Sequence, residues 1–306
     1  MKKTFISGIF ITILGAILFG LGILHHGDRN LIWQNGGFKI ENTSMNRTSF
    51  KDVRALKIDT IDDVQIKSYN GTQVKVLYRA TNTPNYNAKN HQLSISGNSR
   101  SEASFNLGLG NFTSSTIVIY VPSNSNLEKL TCTTSDGISI SDLNFNQLHL
   151  SSDEDIDLHR VNVKNKLQIG GYTDLELDDV SAASLDYETG DGDVTIRDSK
   201  FIKDPSKIST QDGDVELRNA SFKQLKVNSS DGDIDLSNLN VLQSLDGHTD
   251  DGDIDVSLKD SSDVSINADD DDGEISLFGR DTNYYYHGSP KVRYSFESSD
   301  GDITIR

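Results

Sequence analysis

One cysteine in 306 residues, Cys132, excludes a disulfide framework within the chain. It alternates in phase with Leu130, which marks an inward packing residue rather than a nucleophile. Only 4 residues are proline and only 35% are hydrophobic, too few for a thick globular core. Bases are short as well. Against 46 Asp and Glu stand 29 Lys and Arg, a formal net charge of −17, and so acidic a chain is unsuited to nucleic acid. The histidines, at 25, 26, 91, 149, 159, 248 and 287, show no metal-ligand spacing. Carboxylates recur so often that no pair stands out as the acid and base of a glycosidase, and an acidic surface would repel polyuronates. The expectation is therefore no enzyme.

What fills the second half instead is one short phrase, apolar-x-apolar-x-Ser/Thr-x-Asp-Gly-Asp-Ile-x-Leu. Clear copies are Gly190-Asp191-Gly192-Asp193-Val194, Asp212-Gly213-Asp214-Val215, Asp231-Gly232-Asp233-Ile234, Asp251-Gly252-Asp253-Ile254 and Asp300-Gly301-Asp302-Ile303. Degenerate copies occur around Gly137, Glu154, Thr173 and Gly273. The apolar anchors fall at 138, 156, 175, 194, 215, 234, 254, 275 and 303. A period near 20 signals stacked repeats.

Within a copy, Ile234 and Leu236 point one way while Asp233 and Asp235 point the other, the period-2 pattern of a half-buried strand. A second strand precedes each turn: Leu225 and Val227, Leu185 and Tyr187, Leu130 and Cys132. Two strands and two corners make one coil. The expected fold is all-β, a single-stranded β-solenoid resembling a parallel β-helix, with rungs of about 20 residues. An antiparallel ladder of hairpins is the alternative, because Asp-Gly is also a hairpin turn signal; strands of one polarity recurring once per period favour coiling. Glycine at the corner is expected for positive φ. Rungs anchored at 138, 156 and 175 are one residue shorter between inner Leu and anchor, so their turns should differ in shape.

Residues 5–24 form an uncharged run of twenty, about 30 Å as a helix, preceded by Lys2 and Lys3. No Ala-x-Ala-like cut site precedes Asp28, so residues 1–26 are expected to be an uncleaved transmembrane helix with its N-terminus cytoplasmic and the repeats extracytoplasmic. Residues 27–51 are expected to be a linker, 52–125 an N-terminal β region covering one end of the solenoid, and 126–306 the repeat solenoid. Tyr284, Tyr285, Tyr286, Tyr294 and Phe296 are expected to form a cap at the other end rather than a binding site.

An apolar N-terminal segment, a β region ending in Ile119-Tyr120-Val121-Pro122, and Ser/Thr-x-Asp-Gly-Asp-Ile repeats beyond it resemble the bacterial candidate-adhesin domain family of unknown function over about residues 50–306. Members occur in Gram-positive bacteria, some beside Lia-type cell-envelope stress proteins. The resemblance implies a β-solenoid outside the membrane and brings no agreed catalytic or binding residues.

The chemistry lies in the outward carboxylates beside the anchors: Asp155 and Asp157, Asp174 and Glu176, Asp214 and Glu216, Asp233 and Asp235, Asp253 and Asp255. Each like pair at about 5 Å costs on the order of 0.8 kcal/mol in water, so something should offset the repulsion. Turn N–H groups, Ser/Thr and salt screening are one answer, giving a solvated acidic face. A cationic ligand such as an envelope-active peptide, drawn to Asp214, Glu216, Asp233, Asp235, Asp253 and Asp255, is another. Ca²⁺ held by Asp231, Asp233, Asp251 and Asp253 is the third, although neither the nine-residue β-roll frame nor the EF-hand frame is present. The expected function is a membrane-anchored, non-catalytic binding, adhesion or envelope-stress-sensing solenoid without a required cofactor. The runner-up is a Ca²⁺-stabilised adhesive rod, and a carbohydrate-active β-helix enzyme comes third. Oligomeric state is not encoded in these features.

Overall fold

Strict alternation of buried and exposed residues along nearly every strand builds a chain with one inward stripe per side. The structure, a computed structural model, describes residues 8, 11–18, 21, 31–34, 37–40, 45–79, 82–97, 116–125 and 127–306. Two compact units are present. In the smaller, Gly8, residues 11–18 and Leu21 are helical, and Leu31–Gln34 pairs antiparallel with Gly37–Ile40. The expected transmembrane helix, residues 1–26, lies for the most part outside the described residues. Among those described, no helix is long and apolar enough to cross a membrane.

The larger unit, Met45–Gly97 with Ser115–Arg306, is the coil. Its first side stacks the strands that precede each turn, in parallel and in register: Leu56 on Leu130, then Leu148, Leu167 and Leu185, and on through Leu225 and Leu245. Its second side stacks the anchors, Ile138 on Ile156, Leu175, Val194, Val215, Ile234 and Ile254. Consecutive copies therefore lie parallel, and the hairpin alternative is excluded. Inner aliphatics from both sides, Leu225, Val227, Ile234 and Leu236 among them, are fully buried in one continuous core.

A third side, absent from the sequence reading, runs through the middle rungs. Leu143 and Phe145 pair with Val161 and Val163, and the column continues through Ser181–Ala182, Lys200–Phe201, Ser221–Phe222 and Asn240–Val241. Phe201 and Phe222 stack inside it with ring centroids 5.3 Å apart. The corner leading into this side holds one residue at positive φ in each rung: Asp142, Arg160, Asp179, Asp198, Asn219 and Asn238, all between 50° and 60°. Asp and Asn tolerate this left-handed conformation better than most residues.

At both ends the stacking order departs from chain order. Residues 52–125 supply two rungs of the same coil, but the later one, Gln92–Ser96 with Thr116–Pro122, lies outside the earlier one, Ala55–Asp59 with Asp63–Tyr69. At the far end Val264–Asp270 and Ile275–Leu277 form the outermost rung. Val292–Ser298 and Ile303–Ile305 are inserted between it and the rung of Leu245 and Ile254. That insertion accounts for the long interval between anchors 275 and 303, and it corrects the assumption that copies stack in sequence order.

Antiparallel strands close each end, as the exposed edges of terminal rungs require. Met45–Phe50, from the expected linker, pairs with Val74–Arg79, which pairs with Thr116–Pro122; Thr83–Asn87 covers Gln92–Ser96. Tyr284–Tyr286 covers Val264–Asp270, with Tyr285 packed on Phe278 at a centroid distance of 4.5 Å. Of the expected cap only Tyr284–Tyr286 lies at the end, with Tyr284 and Tyr286 facing outward; Tyr294 and Phe296 are instead core residues of the inserted rung.

Candidate functional site: the Asp-Gly-Asp turn edge

Each Asp-Gly-Asp turn joins the first side to the second, so the turns form one edge of the coil, and three of their groups serve the stack. Three residues before the glycine sits a buried hydroxyl: Thr210, Ser229, Thr249 or Ser298. Its oxygen accepts the glycine N–H at 3.0–3.2 Å and donates to the glycine carbonyl one rung away at 3.1–3.2 Å. A side chain thus satisfies buried backbone groups that strand pairing leaves over. In the shorter turns the oxygens of Thr134 and Ser152 accept instead from the N–H two residues on, of Asp136 and Glu154. This is the expected difference in turn shape.

The glycines themselves are not at positive φ, contrary to expectation. Their requirement is proximity. A Cβ on Gly213, Gly232, Gly252 or Gly301 would lie 2.5–2.6 Å from the carbonyl carbon of the glycine one rung away, and nearer still to its oxygen. Backbone stacked on backbone leaves no room for a methyl group.

The second Asp of each turn is also structural. Oδ1 of Asp174 accepts the N–H of Asp193, Asp193 that of Asp214, Asp214 that of Asp233, Asp233 that of Asp253 and Asp253 that of Asp302, each at 2.8–2.9 Å. Asp302 does the same for Glu274. These N–H donors offset part of the repulsion expected in the crowded column. The ladder was missed because a carboxylate beside an anchor reads as an outward group; its recurrence one residue after every glycine was the available signal.

Of the expected stripe, Asp214, Asp233 and Asp253 belong to this ladder. Glu216 lies 2.5 Å from Arg218 Nε and 3.9 Å from Arg197 Nη2, Asp255 lies 2.8 Å from Arg306 Nη2, and Asp235 is exposed between them in the same column. Like-charge crowding is felt further along the column. Burial pushes the Asp157 carboxyl above its ordinary range, and the carboxylates of Glu176, Asp155 and Asp63 add to the effect.

The first Asp of each turn forms a different column. Asp191, Asp212, Asp231, Asp251 and Asp300 are all exposed, and among the described residues no hydrogen bond or ion pair is recorded for their carboxylates. Successive turns are tied by backbone bonds such as Asp231 N–H to Gln211 and Asp251 N–H to Ser230, so neighbouring carboxylates repeat at about the 4.8 Å strand spacing. Of the four Ca²⁺ candidates, Asp231 and Asp251 stand in this free column and Asp233 and Asp253 in the bonded one. No group of three or more His, Cys, Asp or Glu is placed to hold a metal among the described residues. Cys132 is fully buried on the first side, and burial, with Asp59 nearby, pushes its thiol well above the ordinary range.

Comparison with known proteins places this geometry. A candidate cell adhesion protein of Clostridium sporogenes is 12% identical, with 86% of this chain and 98% of that chain covered and a TM-score of 0.28. For a candidate adhesin of Bacteroides fragilis the identity is 12%, the coverage 88% and 100% and the TM-score 0.42. For a candidate lipid-binding protein of Parabacteroides distasonis the corresponding values are 12%, 86% and 97%, and 0.43. No curated protein matches the chain. The model of the Toastrack family, DUF4097, matches residues 53–306, which is the capped coil almost in full, and the chain belongs to that family.

Proposed function

We propose that this chain is a non-catalytic binding and adhesion module of the cell envelope that holds cationic ligands along the edge formed by its turns. One observation carries the reading: five exposed carboxylates, Asp191, Asp212, Asp231, Asp251 and Asp300, stand in register with no recorded partner, beside a second column whose charge is already engaged by backbone N–H groups. A linear array of charge at strand spacing matches an extended polycation better than a point ion. Its pull is long-ranged and screened by salt.

The N-terminal segment supports an envelope location. The described helical residues Ile11, Ile13, Leu14, Ile17, Leu18 and Leu21 are all exposed, which suits a lipid surround, and Lys2 and Lys3 favour a cytoplasmic N-terminus. The coil then lies outside, where it is placed to report on envelope stress.

Calorimetry of the full chain with a polycationic peptide tests the ligand class. Binding should weaken steeply as salt rises and fall by about tenfold or more when all five first-position Asp are changed to Asn. Binding that survives the five substitutions, or that ignores salt, would refute the reading. A melting temperature raised by Ca²⁺ and lowered by EDTA would point to the adhesive rod instead.

A further inference from the structure

The third side is formed in full only from Leu143–Phe145 onward; toward the near end Leu127 alone pairs with it, on Phe145, and among the described residues no further third-side strand lies beyond. In its place runs the segment Ser123–Ser125, held by Ser123 N–H to Tyr69 at 3.0 Å and Ser125 N–H to Pro122 at 2.8 Å. Between that segment and the first third-side strands opens a recess of about 500 Å³. Asn124, Asn144, Asn146, Asn162, Lys164 and Lys203 line it, together with the nearly fully buried Phe145. Among the described residues no carboxylate lines it, in a chain with 46 acidic and 29 basic residues.

Several bases elsewhere on the coil are held by carboxylates, while for others, Lys200 and Lys226 among them, no ion pair is recorded among the described residues. Lys166 is paired with Asp186, Lys207 with Glu188, Arg197 and Arg218 with Glu216, and Arg306 with Asp255. For Lys164 and Lys203, no ion pair is recorded among the described residues. Lys223, one rung on, reaches only the Lys203 carbonyl, at 3.0 Å. One of the amides is oriented. Ser181 Oγ donates to Asn162 Oδ1 at 2.9 Å, which leaves the Asn162 NH₂ to donate into the recess. The adjoining recess, which shares Ser125 and Asn146, holds Asp52, Arg54 and Glu128 and so bounds the cationic region on that side.

We infer that this recess binds a phosphate group carried on a polyhydroxyl chain, with Lys164 and Lys203 taking the phosphate and the asparagine amides the neighbouring hydroxyls. Ammonium groups suit phosphate as point charges, and amides that donate and accept suit hydroxyls. The same chemistry occurs in a soluble polyol-phosphate polymer and in a phospholipid headgroup. This inference does not rest on the acidic column and concerns the opposite charge.

Calorimetry on the full chain with poly(glycerol phosphate), and co-sedimentation with phosphatidylglycerol/phosphatidylcholine vesicles, tests it. The double variant Lys164→Gln/Lys203→Gln should lose about tenfold or more in affinity for whichever probe binds. Lys226→Gln, outside the recess, should change nothing, and the unfolding midpoint of each variant should match the parent. Asn144→Ala/Asn162→Ala should weaken the polymer or headgroup while leaving any binding of inorganic phosphate unchanged. Loss confined to the polymer assigns the soluble source, and loss confined to vesicles the headgroup. If neither probe binds, or if the double variant binds as the parent does, the inference fails.

Discussion

The two repeated corners of the coil use small and polar residues in opposite ways. At the Asp-Gly-Asp edge glycine is present without positive φ; at the corner entering the third side, Asp142, Asp179, Asp198, Asn219 and Asn238 take positive φ without glycine. The first corner is limited by space between rungs and the second by backbone conformation. A glycine in a sequence motif therefore identifies neither cause by itself.

Substitutions separate the two corners. The largest effect is expected at Gly232→Ala, where the new methyl meets the Gly213 carbonyl and rungs must part: a loss of about 3 kcal/mol or more in urea unfolding. A loss below about 1 kcal/mol would show that rungs separate easily and that glycine is not needed for stacking. Next comes Ser229→Ala, which removes the acceptor of the Gly232 N–H and the donor to the Gly213 carbonyl in a buried position, a loss of about 1–3 kcal/mol. Ser229→Thr, mimicking Thr210 and Thr249, should restore it. The smallest effect belongs to the other corner: Asn238→Gly should be nearly neutral while Asn238→Ala costs about 1 kcal/mol, the same order of glycine and alanine as at position 232 but smaller, and set by backbone conformation rather than by space. If both substitutions at 238 behave alike, conformation does not govern that corner.

Much of the coil was legible in the sequence because period-2 alternation and period-20 recurrence act together. The inward alternation of Ile234 and Leu236, and of Leu225 and Val227, recurring once per period with one polarity, favoured a parallel stack over the hairpin ladder. The third side was not legible, since a two-residue strand such as Ser181–Ala182 has no alternation to read. Nor was the exchange of order at the far end: Asp300-Gly301-Asp302 looks like any other turn, and only its bonds to Asp253 on one side and Glu274 on the other reveal that it sits between them. At the candidate site the acidic stripe was legible as composition. Its division into bonded and free columns was not, because which Asp accepts the N–H from the neighbouring rung is set by turn geometry.

The inserted rung has a consequence for synthesis. Residues 264–277 leave the ribosome before residues 292–305, yet the nearest rung on which they could pack is made of those later residues. Until then the only strand partners available to them are local, Tyr284–Tyr286 and Arg280–Asp281, so this part of the chain must wait as a small hairpin assembly. Winding in strict chain order therefore stops at Ile254: the rung of residues 264–277 can take its native place only once residues 292–305 are present beneath it.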